Sequence, residues 1–137
     1  MTLPFGPLWE ELAGRAFCLR RLELCYSKLS SALLIGMYWA LWHIPLWWVT
    51  LNLAPNYRLP TLSLTSANVV AWSIIFAYLY NRSSRSLPVT IVLHTTYVAA
   101  SSQVFAAIPH GHMHRIEIST VLSICSAAVL ATRNRYW

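Results

Sequence analysis

Three uncharged stretches, from Leu29 to Tyr57, from Leu59 to Asn81 and from Ser86 to His114, constrain this chain more than any other feature. Each is at least as long as the ~20 residues that a helix needs to cross a bilayer core. At 137 residues the chain has the length of one domain, yet 57% hydrophobic against 10% charged residues is too oily for an ordinary soluble globule. Disorder, nucleic-acid binding through a basic surface and a disulfide-stapled secreted domain are therefore excluded. The expectation is an all-α, multi-pass transmembrane bundle of four or five helices, forming a single membrane domain over residues 1–137.

The formal charge is +6, from ten Lys and Arg against four Glu. If the apolar stretches cross in turn, Arg20, Arg21, Lys28, Arg82, Arg85, Arg133 and Arg135 fall on one face of the membrane, and Arg58 and Arg115 on the other. This positive-inside pattern puts the first face in the cytoplasm and the protein in the cell membrane. Basic composition here reports topology and contact with anionic headgroups, with no nucleic-acid partner. Cys18, Cys25 and Cys125 form no CxxC pair and read as small packing residues.

Five helical segments are expected. The first, about Pro7 to Leu22, carries too many charges to face lipid and must be shielded by other helices. The second, about Ser30 to Thr50, crowds Trp39, Trp42, Trp47 and Trp48 into its far half, where indoles suit the interface. Pro45 would kink that helix or end its regular part, and LNLAPNYRLP reads as a loop. The third, about Thr61 to Tyr80, has no ionisable group except tyrosine and reads as scaffold. The fourth, about Leu87 to Ala107, carries His94 and a small-residue run that allows close helix approach. The fifth, about Ile116 to Thr132, is short for a span.

Ionisable side chains inside such segments are the informative ones, because each Asp, Lys or Arg costs at least ~2.5–3.5 kcal/mol to insert. Glu10, Glu11, Arg15, His43 and His94 are the candidates. Glu11 and Arg15 stand four apart in the order that favours a helical ion pair. Glu10 points about 100° away from Glu11 and is left without a local partner, which suits a general base. From the rise per residue, Glu10, His43 and His94 lie roughly 15, 21 and 10 Å from the cytoplasmic boundary, so the topology permits one acid and two imidazoles to converge. The HGHMH string from His110 to His114 reads as a solvated non-cytoplasmic turn rather than a metal site, having no acid or cysteine close by except Glu117.

With these residues in hand, the chain resembles the CAAX protease and bacteriocin-processing family of intramembrane endopeptidases, also called the CPBP or Abi family. GPLWEELAGRAFCLRRL is similar to the family's first motif, Glu-Glu-x-x-x-Arg. MYWALWHIP resembles the second, an aromatic four residues before a histidine, here Trp39 and His43. LPVTIVLHTTYVAAS resembles the third, with His94 after a basic turn and an apolar run. The resemblance covers roughly Pro7 to Ser102, and it implies further helices upstream of those in this sequence.

The resemblance implies hydrolysis of a peptide bond within the membrane, in a peptide or protein substrate of the prenylated CAAX type. Glu10 would activate the attacking water, Glu11 and Arg15 would hold the geometry, and His43 and His94 would orient the water or stabilise the oxyanion. Cofactor use stays open: an acid and two histidines can ligate zinc, whereas a glutamate-type mechanism without metal is the preferred reading. Where the family commonly has Asn four residues after the last histidine, this chain has Val98, whose side chain cannot donate; Thr95 or Ser101 would be the substitutes. That departure leaves a second expectation, a weakened or inactive relative acting as a membrane interaction or immunity-type protein.

Overall fold

A computed structural model describes the backbone over residues 5–50, 55–107 and 112–133, and side chains over 6–49, 58–100 and 116–133. The described residues are helical throughout, apart from short turns, and contain no strand. The first segment is a continuous rod: α1 (Phe5–Glu11), eight residues of π-helix (Leu12–Leu19) and a last turn, α2 (Arg20–Leu22). Then follow α3 (Lys28–Thr50), α4 (Pro55–Arg82), α5 (Leu87–Ala107) and α6 (His112–Ala131). All five expected segments are present, and the all-α bundle is the observed fold.

α3 ends at Thr50 as expected of the second segment, and it runs through Pro45, which removes one backbone donor without ending the helix. α4 begins at Pro55, so the last part of the expected loop is helical and Pro60 falls inside it. A proline in the first turn costs no hydrogen bond, since the first helical N–H groups have no intrahelical partner. The backbone of His112 onward belongs to α6, while His110, Gly111 and the side chains of the HGHMH string lie outside the described residues.

α4 is the central helix. It packs against α3 on one side and α6 on the other, and its stretch from Ser73 to Tyr78 is buried on nearly every face. The α3–α4 crossing is set by Gly36, where a Cβ would stand 2.9 Å from both the Val70 Cα and the Ser73 Cβ. With no side chain between them, the backbones approach closely enough for the Ser73 hydroxyl to donate to the Ala32 carbonyl at 2.8 Å. This is the small-residue packing that lets two helix backbones approach closely. On the α6 side, the Thr120 hydroxyl donates to the Leu64 carbonyl at 3.2 Å.

The outward faces of α3 and α6 expose Leu41, Val49, Val121, Leu122 and Val129. Lys28–Val49 and Arg58–Arg82 are long and apolar enough to cross a membrane by length and composition, whereas the apolar parts of α5 and α6, Leu87–Ala100 and Ile116–Ala131, are shorter. At the end carrying most of the arginines, Glu23 ties two connections together. Its carboxylate accepts from Asn81 Nδ2 at 2.7 Å and from Arg85 Nη2 at 3.1 Å. The α4–α5 turn presents Arg85 from a left-handed backbone conformation (φ 63°). At the opposite end, Arg58 lies over the Trp48 ring, 4.8 Å from its centroid.

The Gly36 crossing yields a direct test. Gly36→Ala drives a methyl into the backbone of α4 and should destabilise the bundle by about 1–3 kcal/mol, the usual range for overpacking. Thermal unfolding in detergent measures it, with Ala40→Gly, one turn further along α3, as a control for helix propensity.

Candidate active site

The two glutamates close α1 and face different surroundings. Glu11 is fully buried, its side chain 0% exposed, whereas Glu10 keeps 37% of its side chain accessible. The turn that follows is wound as π-helix, a form that often occurs at functional sites. Arg15, four residues after Glu11, sends Nε to within 3.4 Å of Glu11 Oε2. Its guanidinium lies 4.0 Å from the centroid of the Trp39 ring and 5.0 Å from that of Phe76. The cation is thus sheltered between one carboxylate and two aromatic faces, and desolvated cation–π contacts of this kind stabilise by about 2 kcal/mol or more. Gly14 makes room for the indole, since a Cβ there would lie 3.1 Å from Trp39 Cζ2.

Glu11 also has a partner that its spacing from Arg15 did not disclose. His94, on α5, bonds through Nδ1 to Glu11 Oε1 at 2.9 Å. An ionised carboxylate only accepts, so Nδ1 carries the proton of this hydrogen bond and Nε2 is the ring atom left for the cavity. That Nε2 faces Glu10 Oε2 at 3.8 Å, too long for a direct hydrogen bond. The His94 ring is walled by Phe76, with centroids 5.0 Å apart, and by Trp39 at 6.0 Å.

His43 is held in a matching way from its own helix. Its Nδ1 donates to the Trp39 carbonyl at 2.8 Å, and its ring stacks on Trp47, with centroids 5.3 Å apart and 25° between planes. A carbonyl oxygen likewise only accepts, so the His43 Nδ1 is the donor of this bond. Glu10, His43 and His94 line one cavity of about 90 Å³, completed by Trp39, Val69, Trp72, Phe76 and Tyr97. This volume accommodates water.

The five residues singled out from sequence therefore gather at one place, arranged as an inner and an outer group. Glu10, His43 and His94 line the cavity; Arg15 and Glu11 lie behind it and fix His94. Thr95 is not among the lining residues, and Ser101 lies outside the described side chains. α4, read as scaffold, supplies Val69, Trp72 and Phe76 to the walls. Tyr97 was missed, although its position one turn after His94 puts it on the same helical face. For a metal, the two Nε2 lone pairs and Glu10 are the right donor types. Among the described residues, however, no group of three His, Cys, Asp or Glu side chains is arranged to hold one.

Removing the cation should expose how much the outer group contributes. Arg15→Leu leaves the Glu11 carboxylate buried without its countercharge, and the expected loss is about 3–5 kcal/mol of stability. A drop of less than about 1 kcal/mol in denaturant or thermal unfolding, the value typical of an exposed pair, would contradict a structural role for the ion pair.

A protein named CAAX prenyl protease 2, from Methanococcus maripaludis, is 25% identical to the chain over 91 residues, covering 63% of this chain and 33% of the relative. The chain thus spans about a third of that relative's length. No solved structure matches the chain. Residues 1–100, which include α1, the π-helix, α3, α4 and the paired histidines, match the family described as type II CAAX prenyl endopeptidase Rce1-like, and the chain belongs to that family.

Proposed function

We propose that this protein is an intramembrane endopeptidase that hydrolyses a peptide bond in a membrane-associated, prenylated CAAX-type substrate, with Glu10 as general base. The observation that carries the reading is the facing pair in the cavity: the Glu10 carboxylate and His94 Nε2 stand 3.8 Å apart, and His43 lines the same cavity. Both imidazoles are pinned through Nδ1. A water between Glu10 and the His94 ring donates a hydrogen to the Glu10 carboxylate, with an oxygen lone pair left for a carbonyl carbon.

Glu10 takes one water proton as the oxygen attacks. After the tetrahedral intermediate forms, the same carboxyl returns that proton to the departing amine. Glu11 keeps His94 in one tautomer and one orientation, as a buried carboxylate does for a catalytic imidazole. Arg15 neutralises Glu11 from behind. The cavity is walled on one side by Trp39, Trp72 and Phe76, whose apolar surfaces lower the local dielectric and strengthen each of these interactions.

The membrane setting belongs to the same reading. The family's members are membrane proteins, and the long apolar helices α3 and α4 fit a bilayer. We take residues 1–137 as one membrane domain. The end carrying Arg20, Arg21, Lys28, Arg82 and Arg85 is cytoplasmic under the positive-inside rule, and the membrane is the cell membrane.

The test is cleavage of a farnesylated CAAX reporter peptide by the full chain in proteoliposomes. Glu10→Ala should lower kcat by about 10²–10⁴-fold, the contribution of a positioned general base, without loss of the thermal transition. Equal cleavage by wild type and Glu10→Ala would exclude this mechanism. A folded wild type that binds the peptide without turning it over would instead favour a non-catalytic, immunity-type interaction role, which Val98 leaves open.

A further inference from the structure

A second space opens between the first rod and α3. It holds about 220 Å³, against about 90 Å³ for the catalytic cavity, and its surface is almost wholly apolar. Gly14 and Ile35 are buried at its base, while Ala13 and Cys18 on the rod and Tyr38 on α3 are exposed at its edges. No charged side chain lines it. The apolar surface continues on either side: Trp9 and Phe17, each four residues from Ala13, and Trp42, one turn after Tyr38, are largely exposed.

This groove adjoins the catalytic cavity. Trp39 lines both spaces, and Gly14 gives the indole room to do so, since a Cβ there would lie 3.1 Å from Trp39 Cζ2. Glu10 precedes Gly14 by four residues, about 5 Å along the rod. The lining also selects what enters. An extended peptide would bury N–H and C=O groups here with no partner to accept or donate, which is costly. A helix is roughly 10–12 Å across with its side chains and covers such a slot without filling it. A hydrocarbon chain needs no hydrogen bond and fills it. In a CAAX substrate the isoprenoid is carried by the motif's own cysteine, so lipid and peptide arrive together and require adjoining surfaces of opposite chemistry.

We propose that the groove between the rod and α3 seats the isoprenoid chain of the substrate, with its thioether end beside Trp39 and its tail directed toward Leu22. The choice of ligand rests on the peptidase reading above. The bilayer is as apolar as the groove, so what the groove contributes is orientation: a chain held on one side of Trp39 places the attached peptide on the other, against Glu10.

Cys18 is a native reporter of occupancy, and reading it requires no turnover. The full chain carrying Cys25→Ser, Cys125→Ser and Glu10→Ala is placed in phosphatidylcholine proteoliposomes and alkylated with N-ethylmaleimide, with labelling followed by mass spectrometry. A farnesylated CAAX peptide at about ten times its Kd should slow Cys18 labelling about tenfold, and the same peptide without the farnesyl group should not. Equal labelling with and without the farnesylated peptide overturns the assignment, as does equal protection by the peptide lacking the lipid. Protection that needs no peptide and rises with the protein-to-lipid ratio identifies a second copy of this chain as the occupant and overturns it too. With Glu10 intact, Ala13→Phe puts a ring into the groove and should raise KM for the farnesylated reporter about tenfold with kcat little changed, the pattern of lost uniform binding. A KM within about threefold of wild type contradicts the proposal; if Ala13→Phe fails to fold, Cys18 labelling decides. The two readings fail separately. Cleavage abolished by Glu10→Ala beside an unprotected Cys18 removes the groove and keeps the peptidase, whereas undiminished cleavage by Glu10→Ala removes the peptidase mechanism while Cys18 protection by the farnesylated peptide still upholds the groove.

Discussion

A single buried carboxylate organises this protein. Glu11 has no access to solvent, and its two oxygens are claimed by different helices: Arg15 at 3.4 Å from its own rod and His94 at 2.9 Å from α5. In an apolar surrounding an isolated charge of this kind is untenable, so the carboxylate requires both partners to be in position. The rod formed by α1, the π-helix and α2 is therefore held against α3, α4 and α5 by its charged side chains. The same contact sets the proton position on His94 and hence the chemistry of the ring's other nitrogen.

Trp39 is the second organising residue, and its several parts do separate things. The indole covers the Arg15 guanidinium, the carbonyl fixes His43, and the ring edge walls the cavity beside His94. Gly14 opposite leaves space for it. These contacts explain why an aromatic and a histidine belong four residues apart on one helix: at that spacing the ring nitrogen of the histidine reaches the carbonyl one turn earlier. The aromatic side chain meanwhile turns to the neighbouring rod. Shielding of the cation and orientation of the imidazole thus come from one residue.

Much of this was readable residue by residue. The Glu11–Arg15 pair follows from a four-residue interval, and the five helical segments follow from the lengths of uncharged sequence between arginines. The bond from His94 to Glu11 joins positions 83 apart, and no local rule connects them. α4 looked like scaffold because Val69, Trp72 and Phe76 carry no chemical flag in an apolar run, yet they form the cavity wall. Tyr97 escaped notice for the same reason, since a tyrosine within an apolar run carries no chemical flag of its own. One pair of prolines misled in the other direction: Pro55 and Pro60 belong to α4, in a stretch whose composition reads as a loop.

Helical class, the number of segments and the sign of the charge at each end are written into composition and periodicity, because they depend on local geometry and on the cost of burying charge. What composition and periodicity do not contain is the second partner of the paired acid. The interval to Arg15 already separates Glu11 from its neighbour Glu10, but only the packing of α3, α4 and α5 around the rod brings His94 to Glu11, seals it from solvent and turns Glu10 toward the cavity. Burial is a property of the whole assembly, and in this protein burial is what distinguishes the two adjacent acids.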